Sequence, residues 1–135
     1  MAKNGFIISN RRAVEEITAS TTLTAEDCGK VIVLNDSSAI TLTLSSAASL
    51  GAGWNCVIKI GTNQANHVIG SADQKYVVGM TGEVTAAADL AGGNCVQVDM
   101  VGANLVDGDT FELVTDGTDI YIKPLVTNYN AYTVS

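Results

Sequence analysis

Between residues 17 and 60 the chain alternates short runs of Val, Ile, Leu and Thr with clusters of Asn, Asp, Gly and Ser. That rhythm points to β-structure. β-Branched side chains lose rotamer freedom in a helix and fit well on a pleated sheet. Residues 17–24 are rich in threonine and predict an exposed or edge strand. Residues 25–29 make a turn, where Gly29 can take a positive φ. Residues 30–34 are nearly all apolar and predict a buried strand. After a turn at 35–38, residues 40–44 alternate at period two, with Ile40, Leu42 and Leu44 on one face. A small-residue loop, 45–53, carries one helical turn through 47–50. Residues 54–60 follow as a strand that puts Trp54, Cys56, Ile58 and Ile60 on one face.

Shorter strands are expected at 67–69, 76–78, 95–101, 110–114 and 119–123, with a helix or wide loop at 83–93 ended by Gly92-Gly93. Asp116-Gly117 between two alternating runs is the strongest hairpin signal in the chain. Strands spaced about eight to twelve residues apart, with turn residues between them, indicate an all-β sandwich or jelly-roll-like barrel. No repeat of fixed period is present, which argues against a solenoid or propeller. The organisation expected is a flexible N-terminal arm at 1–14, a β-sandwich body at 15–126 and a C-terminal tail at 127–135.

Charge narrows the function. Three of the seven basic residues, Lys3, Arg11 and Arg12, lie in the first twelve positions with no acid among them. The other four face all fourteen acidic residues, and the whole chain carries −7. An acidic body is repelled by nucleic acid, whose binding usually needs a clustered basic face. No apolar run approaches the roughly 20 residues of a membrane-spanning helix, and Phe6-Ile7-Ile8 is shorter than the core of a secretory signal. Neither nucleic acid nor membrane is therefore expected as a partner, and synthesis is expected in a cytoplasm. Cys28, Cys56 and Cys95 form no CxxC pair and read as free thiols.

The remaining polar residues offer no clear chemistry. His67 is the only histidine, so any Ser–His or Cys–His catalysis would need it. It has no carboxylate or cysteine close in sequence and reads as a strand-edge residue. Asp107, Asp109, Asp116 and Asp119 raise the question of a weak calcium site, since calcium takes several oxygen ligands. Asp-Gly is also the local chemistry of tight turns, and the EF-hand pattern is absent. Trp54 heads a buried-looking strand and reads as a packing or subunit-contact residue. The expectation is a protein that is not an enzyme and holds no cofactor or metal.

Residues 21–30, Thr-Thr-Leu-Thr-Ala-Glu-Asp-Cys-Gly-Lys, resemble the T-x-L-T-A-x-D-x-G-K opening of small β-rich structural proteins of bacteriophage virions. In that pattern an apolar strand, an I-T-L strand, a small-residue loop and a G-A-G-x step follow. Their counterparts here are 31–34, 40–44, 45–50 and 51–54, and His67-Val68-Ile69 is similar to the strand that comes next. The pattern has Leu-Pro where this chain has Leu44-Ser45. The resemblance covers roughly residues 17–70. It implies a capsid decoration (cement) protein: a homotrimer on the outer capsid surface that binds the major capsid protein and stabilises the shell. Its place would be the virion, after synthesis in the host cytoplasm. A receptor-binding or fibre-associated tail module is the alternative. On the decoration reading, charge and hydropathy single out Lys3, Phe6, Ile7, Ile8, Arg11, Arg12, Trp54, Tyr129 and Tyr132 as capsid or subunit contacts.

Overall fold

The computed structural model describes residues 11–77, 94–128 and 130–135. Ten strands in these residues join in one hydrogen-bonded network that folds into two mixed five-stranded layers. The first layer runs β1 (Val14–Ile17), β3 (Val31–Leu34), β5 (Asn55–Ile60), β8 (Thr110–Thr115) and β9 (Ile120–Leu125). The second runs β2 (Thr21–Leu23), β4 (Thr41–Leu44), β6 (Val68–Val77), β7 (Asn94–Met100) and β10 (Tyr132–Val134). The sandwich is the form this chain takes, and its layers do not close into a barrel.

The first six strands are wound rather than folded back. The chain crosses from one layer to the other after every strand, so β1, β3 and β5 stack in parallel in one layer and β2, β4 and β6 in the other. The three coils differ in length because their connecting loops differ. That irregularity explains how a coiled arrangement exists without any sequence period. The expected single strand over 17–24 is split for the same reason. The chain changes layers between Ile17 and Thr21, and Ser20 Oγ accepts the Thr41 amide at 2.9 Å as it crosses.

The second half of the chain closes this coil with antiparallel pairs: β8 on β5, β9 on β8, β7 on β6 and β10 on β7. β6 is a single strand where two short ones were expected. Its first half pairs with β4 and its second half with β9, and its register against β7 shifts between Gly70 and Lys75. An irregularity of this kind bends a strand, and here it lets one strand serve both layers. The segment at 83–93 lies outside the described residues.

The core lies between the layers and follows the period-two pattern. Ile32, Ile58 and Phe111 form one inward row of the first layer, and Cys56, Leu113 and Ile122 another. Leu42, Leu44, Ile69, Val98 and Met100 face them from the second. Phe111 and Tyr132 meet across the sandwich edge to face, with ring centroids 5.8 Å apart at 83°, an arrangement that the ring quadrupoles favour. The loop helix α1 (Ala47–Leu50) is capped by Ser46, whose side chain accepts the Ser49 amide, and it buries Ala47 and Leu50.

The turn from β2 to β3 shows what Thr24, Asp27, Gly29 and Lys30 do here. The Asp27 carboxylate accepts the Thr24 amide at 2.8 Å and Lys30 Nζ at 2.7 Å. Burial works against its charge, but Lys30 and the Thr24 amide outweigh burial and hold its carboxyl below the usual range. Lys30 also reaches Glu15 of β1 at 2.9 Å. Gly29 takes a φ of +78°, the left-handed region, where a side chain would be strained. Thr24, Asp27, Gly29 and Lys30 are thus tied to the local geometry of one turn.

Candidate functional site

The outward side of the first layer carries apolar residues among the charged Glu16, Lys59, Glu112 and Lys123. β3 reads Val-Ile-Val-Leu, and while Ile32 and Leu34 are buried, Val31 and Val33 point outward and are only half-buried. The expectation of a wholly buried strand over 30–34 therefore holds for its inward residues alone. Register extends the outward row across the layer: Val14 pairs with Val31, Val31 with Val57, Val57 with Glu112, and Glu112 with Lys123. Beside it run Asn55, Val114 and Tyr121. Val14 is 68 % exposed, Val114 46 % and Leu125 48 %. Sheet faces turned to water normally alternate to polar residues, so the apolar stripe of Val14, Val31 and Val57, which ends at Glu112 and Lys123, is the most distinctive surface feature of the described residues.

A shallow cavity of about 400 Å³ lies on this face where β5, β8 and β9 meet. Val57, Val114 and Tyr121 line it together with the charged Arg12, Glu112 and Lys123. Arg12 is fixed at one side: its Nε donates to the Gly29 carbonyl at 3.0 Å and its guanidinium reaches Asn55 Oδ1 at 3.4 Å. The Tyr121 hydroxyl donates to Asp116 Oδ2 at 3.3 Å, which fixes its ring at the other. The volume falls in the range of sites that take small organic groups.

The residues singled out from sequence are scattered. Lys3, Phe6, Ile7, Ile8 and Tyr129 lie outside the described residues. Arg11 is exposed, and Arg12 borders the cavity. Trp54 is 2 % exposed; its indole N–H donates to the Thr24 carbonyl at 2.9 Å, so the ring packs inside the chain. Tyr132, expected as a capsid or subunit contact, is buried in the core of its own chain as the first residue of β10. The outward valines were not singled out from sequence, although the two-sided apolar run of β3 held the signal.

The aspartates do not gather. Asp109 stands at the start of β8 and Asp116 beyond its end, so about six strand residues, or ~20 Å, separate them. The Asp109 carboxylate accepts the Val106 amide at 2.9 Å, the Thr127 amide at 2.8 Å and the Thr127 hydroxyl at 3.0 Å. Asp116 Oδ1 accepts the amides of Thr118 and Asp119 and closes the β8–β9 hairpin. Both carboxylates are engaged in turn structure. No cluster of His, Cys, Asp and Glu that could hold a metal occurs among the described residues.

His67 is fully buried, and its Nδ1 accepts the Ile40 amide at 3.1 Å. The proton of the neutral ring therefore sits on Nε2, which has no hydrogen-bond partner among the described residues. Cys56 is buried, and burial pushes its thiol up to about 12, which makes it a poor nucleophile at neutral pH. Cys28 is exposed.

Burial lowers the pKa of His67 from its ordinary 6.5, and the charge of Asp36 only partly offsets this. The folded state therefore resists protonation more than the unfolded state does. The stabilising effect of the neutral ring is complete above about pH 6.5 and is lost as pH falls through the lowered folded value. A melting temperature that drops between pH 7 and pH 5, with part of the drop absent in His67→Gln, is the expected result. An identical pH slope in the variant would exclude the histidine as the cause.

Comparison with family models, with curated proteins and with solved structures finds no match.

Proposed function

We propose that the chain is a non-enzymatic structural protein of a bacteriophage virion, which binds the outer capsid surface as a homotrimer and stabilises the shell. The observation that carries this reading is the outward face of the first layer. Val14, 68 % exposed, continues into the half-buried Val31 and Val57 as one contiguous row on that sheet face, and a contiguous apolar surface usually marks a contact. Contact chemistry agrees with the rest of the described molecule, where the carboxylates at Asp27, Asp109 and Asp116 fasten turns and the histidine is buried against a backbone amide. The resemblance of residues 21–30 to virion proteins supplies the type of partner, the major capsid protein. Three copies joined in one particle multiply modest single contacts into tight attachment.

Light scattering of the purified protein tests the first half of the reading. A mass about three times the 14.0 kDa of the chain is expected from a closed three-fold assembly. Adding that protein to bare capsids tests the second: saturable binding over the whole shell, with raised resistance to heat, is the expected outcome. A stable monomer that leaves bare capsids unbound would overturn the proposal. Labelling confined to tail tips in electron micrographs would instead establish the tail module.

A further inference from the structure

We infer that the open edge of β1 is a contact surface for a second copy of this chain, the two β1 strands pairing antiparallel about a two-fold axis at Val14. β1 is the end strand of the first layer, and β3 is its one neighbour there among the described residues. The ladder decides which backbone groups are left over. The Ala13 carbonyl accepts the Val31 amide at 2.8 Å and the Ile17 carbonyl the Asn35 amide at 3.5 Å. Along a strand, residues that bond one neighbour alternate with residues that point away from it. Glu15 therefore also bonds β3, while Val14 and Glu16 turn their N–H and C=O groups out of the sheet, as does Arg12 just before the strand. Residues 11–16 are all exposed, so nothing among the described residues covers this edge.

Charged side chains ordinarily keep an open edge from pairing with another chain. Here they oppose only one of the two orientations. The run Arg11-Arg12-Ala13-Val14-Glu15-Glu16 is basic at one end and acidic at the other. Parallel pairing in register sets Arg12 on Arg12 and Glu16 on Glu16, which is destabilising. Antiparallel pairing with Val14 opposite Val14 of the second copy sets Arg12 opposite Glu16 on both sides of the axis. On the other face Arg11 lies diagonal to Glu15, a separation that long side chains span. The same register joins the outward backbone groups of Val14 to those of Val14, and those of Arg12 to those of Glu16. A slip by one residue would set each of them against a residue whose backbone already serves β3. Val14, 68 % exposed, is covered, and its stripe with Val31 and Val57 runs on into that of the second copy. One strand pair falls short of the ~1,200–2,000 Å² that stable interfaces bury, so the contact is weak and forms at high concentration. It doubles the smallest unit in solution, monomer or trimer, and does not rest on the virion reading.

Sedimentation of the full chain from about 1 μM to about 1 mM, the range of weak affinities, is the first readout, and a doubling of the smallest species is expected. Amide hydrogen exchange at both ends of that range is the second. The Glu15 and Ile17 amides, bonded to β3, should be protected throughout. Those of Val14 and Glu16 should exchange freely when dilute and about tenfold more slowly when concentrated, a pattern that association through another surface would not give. Val14→Pro removes an N–H that serves the second copy and no bond within the chain, at an edge position where proline is tolerated. It should leave the melting temperature of the dilute protein in place and weaken the doubling about thirtyfold, as two hydrogen bonds lost across the axis would. Glu16→Arg sets an arginine against Arg12 and should weaken it about tenfold. A mass that never doubles would overturn the inference and, if that mass is a trimer's, would leave the virion reading standing. Doubling with Val14 and Glu16 still exchanging freely, or doubling undiminished in both variants, would overturn it as well.

Discussion

Replacing Trp54 by alanine should cost about 3–5 kcal/mol, the usual range for deleting a large buried aromatic ring. Its position makes the upper part of that range the expectation. Trp54 precedes β5, the strand that joins the parallel coil to the antiparallel half of the first layer. Its ring is enclosed, and its N–H is bonded to the Thr24 carbonyl at the turn that leads into β3. Deletion leaves a cavity and takes away one of the two donors to the Thr24 carbonyl, which keeps the Asp27 amide at 3.0 Å. Against a total stability of about 5–15 kcal/mol for a domain, the variant should be close to unfolding at 37 °C. Trp54→Phe separates the two effects: it keeps much of the ring volume and loses the hydrogen bond, at about 1 kcal/mol. Thermal denaturation followed by circular dichroism checks both. A Trp54→Ala melting temperature within a few degrees of the parent would show that the ring is not a keystone of this core.

Asp109→Ala is the second change with a large expected effect, about 3 kcal/mol, because hydrogen bonds to a charged acceptor are worth more than neutral ones. The Asp109 side chain is 2 % exposed and receives two backbone amides and a hydroxyl. Its own carbonyl accepts the Ile60 amide at 2.9 Å. One residue thereby fastens the end of β5, the turn at 106–109 and the segment after β9. At this chain length the loss corresponds to roughly 10 °C in melting temperature. Asp109→Asn keeps one acceptor and turns a donor toward the others, so its loss should lie between those of the parent and the alanine variant. Equal melting temperatures for all three proteins would mean that water replaces the carboxylate without cost.

What could be read from the residues follows from how local its cause is. Ile40, Leu42 and Leu44 alternate with threonines, and all three are buried. Trp54, Cys56, Ile58 and Ile60 do the same. The helical turn Ala47–Leu50 and the hairpin at Asp116-Gly117 also lie where local chemistry puts them. Pairing partners were not legible, because period two fixes which side a residue faces and says nothing of which strand lies beside it. Val31 and Ile32 are equally apolar in sequence, yet only Ile32 faces the core. The expectation of a buried run over 30–34 therefore concealed the outward face that became the candidate site. The tail was misjudged in a similar way. Tyr132 reads from sequence as a capsid or subunit contact, yet it enters the core because β7 offers its strand an edge.

The winding of the first six strands also governs how the molecule can be assembled in time. Val14 cannot pair until Val31 is made and placed, nor Val31 until Val57 arrives, and β6 must find both β4 and β9. Only β8 and β9 are joined by a short turn among these pairs. Loop closure must therefore precede almost every stabilising contact, which places such a chain among the slow folders of its size. Its half-built forms would show open strand edges to one another. A chain of this topology is best served by brief, dilute exposure during synthesis, and least by refolding at high concentration.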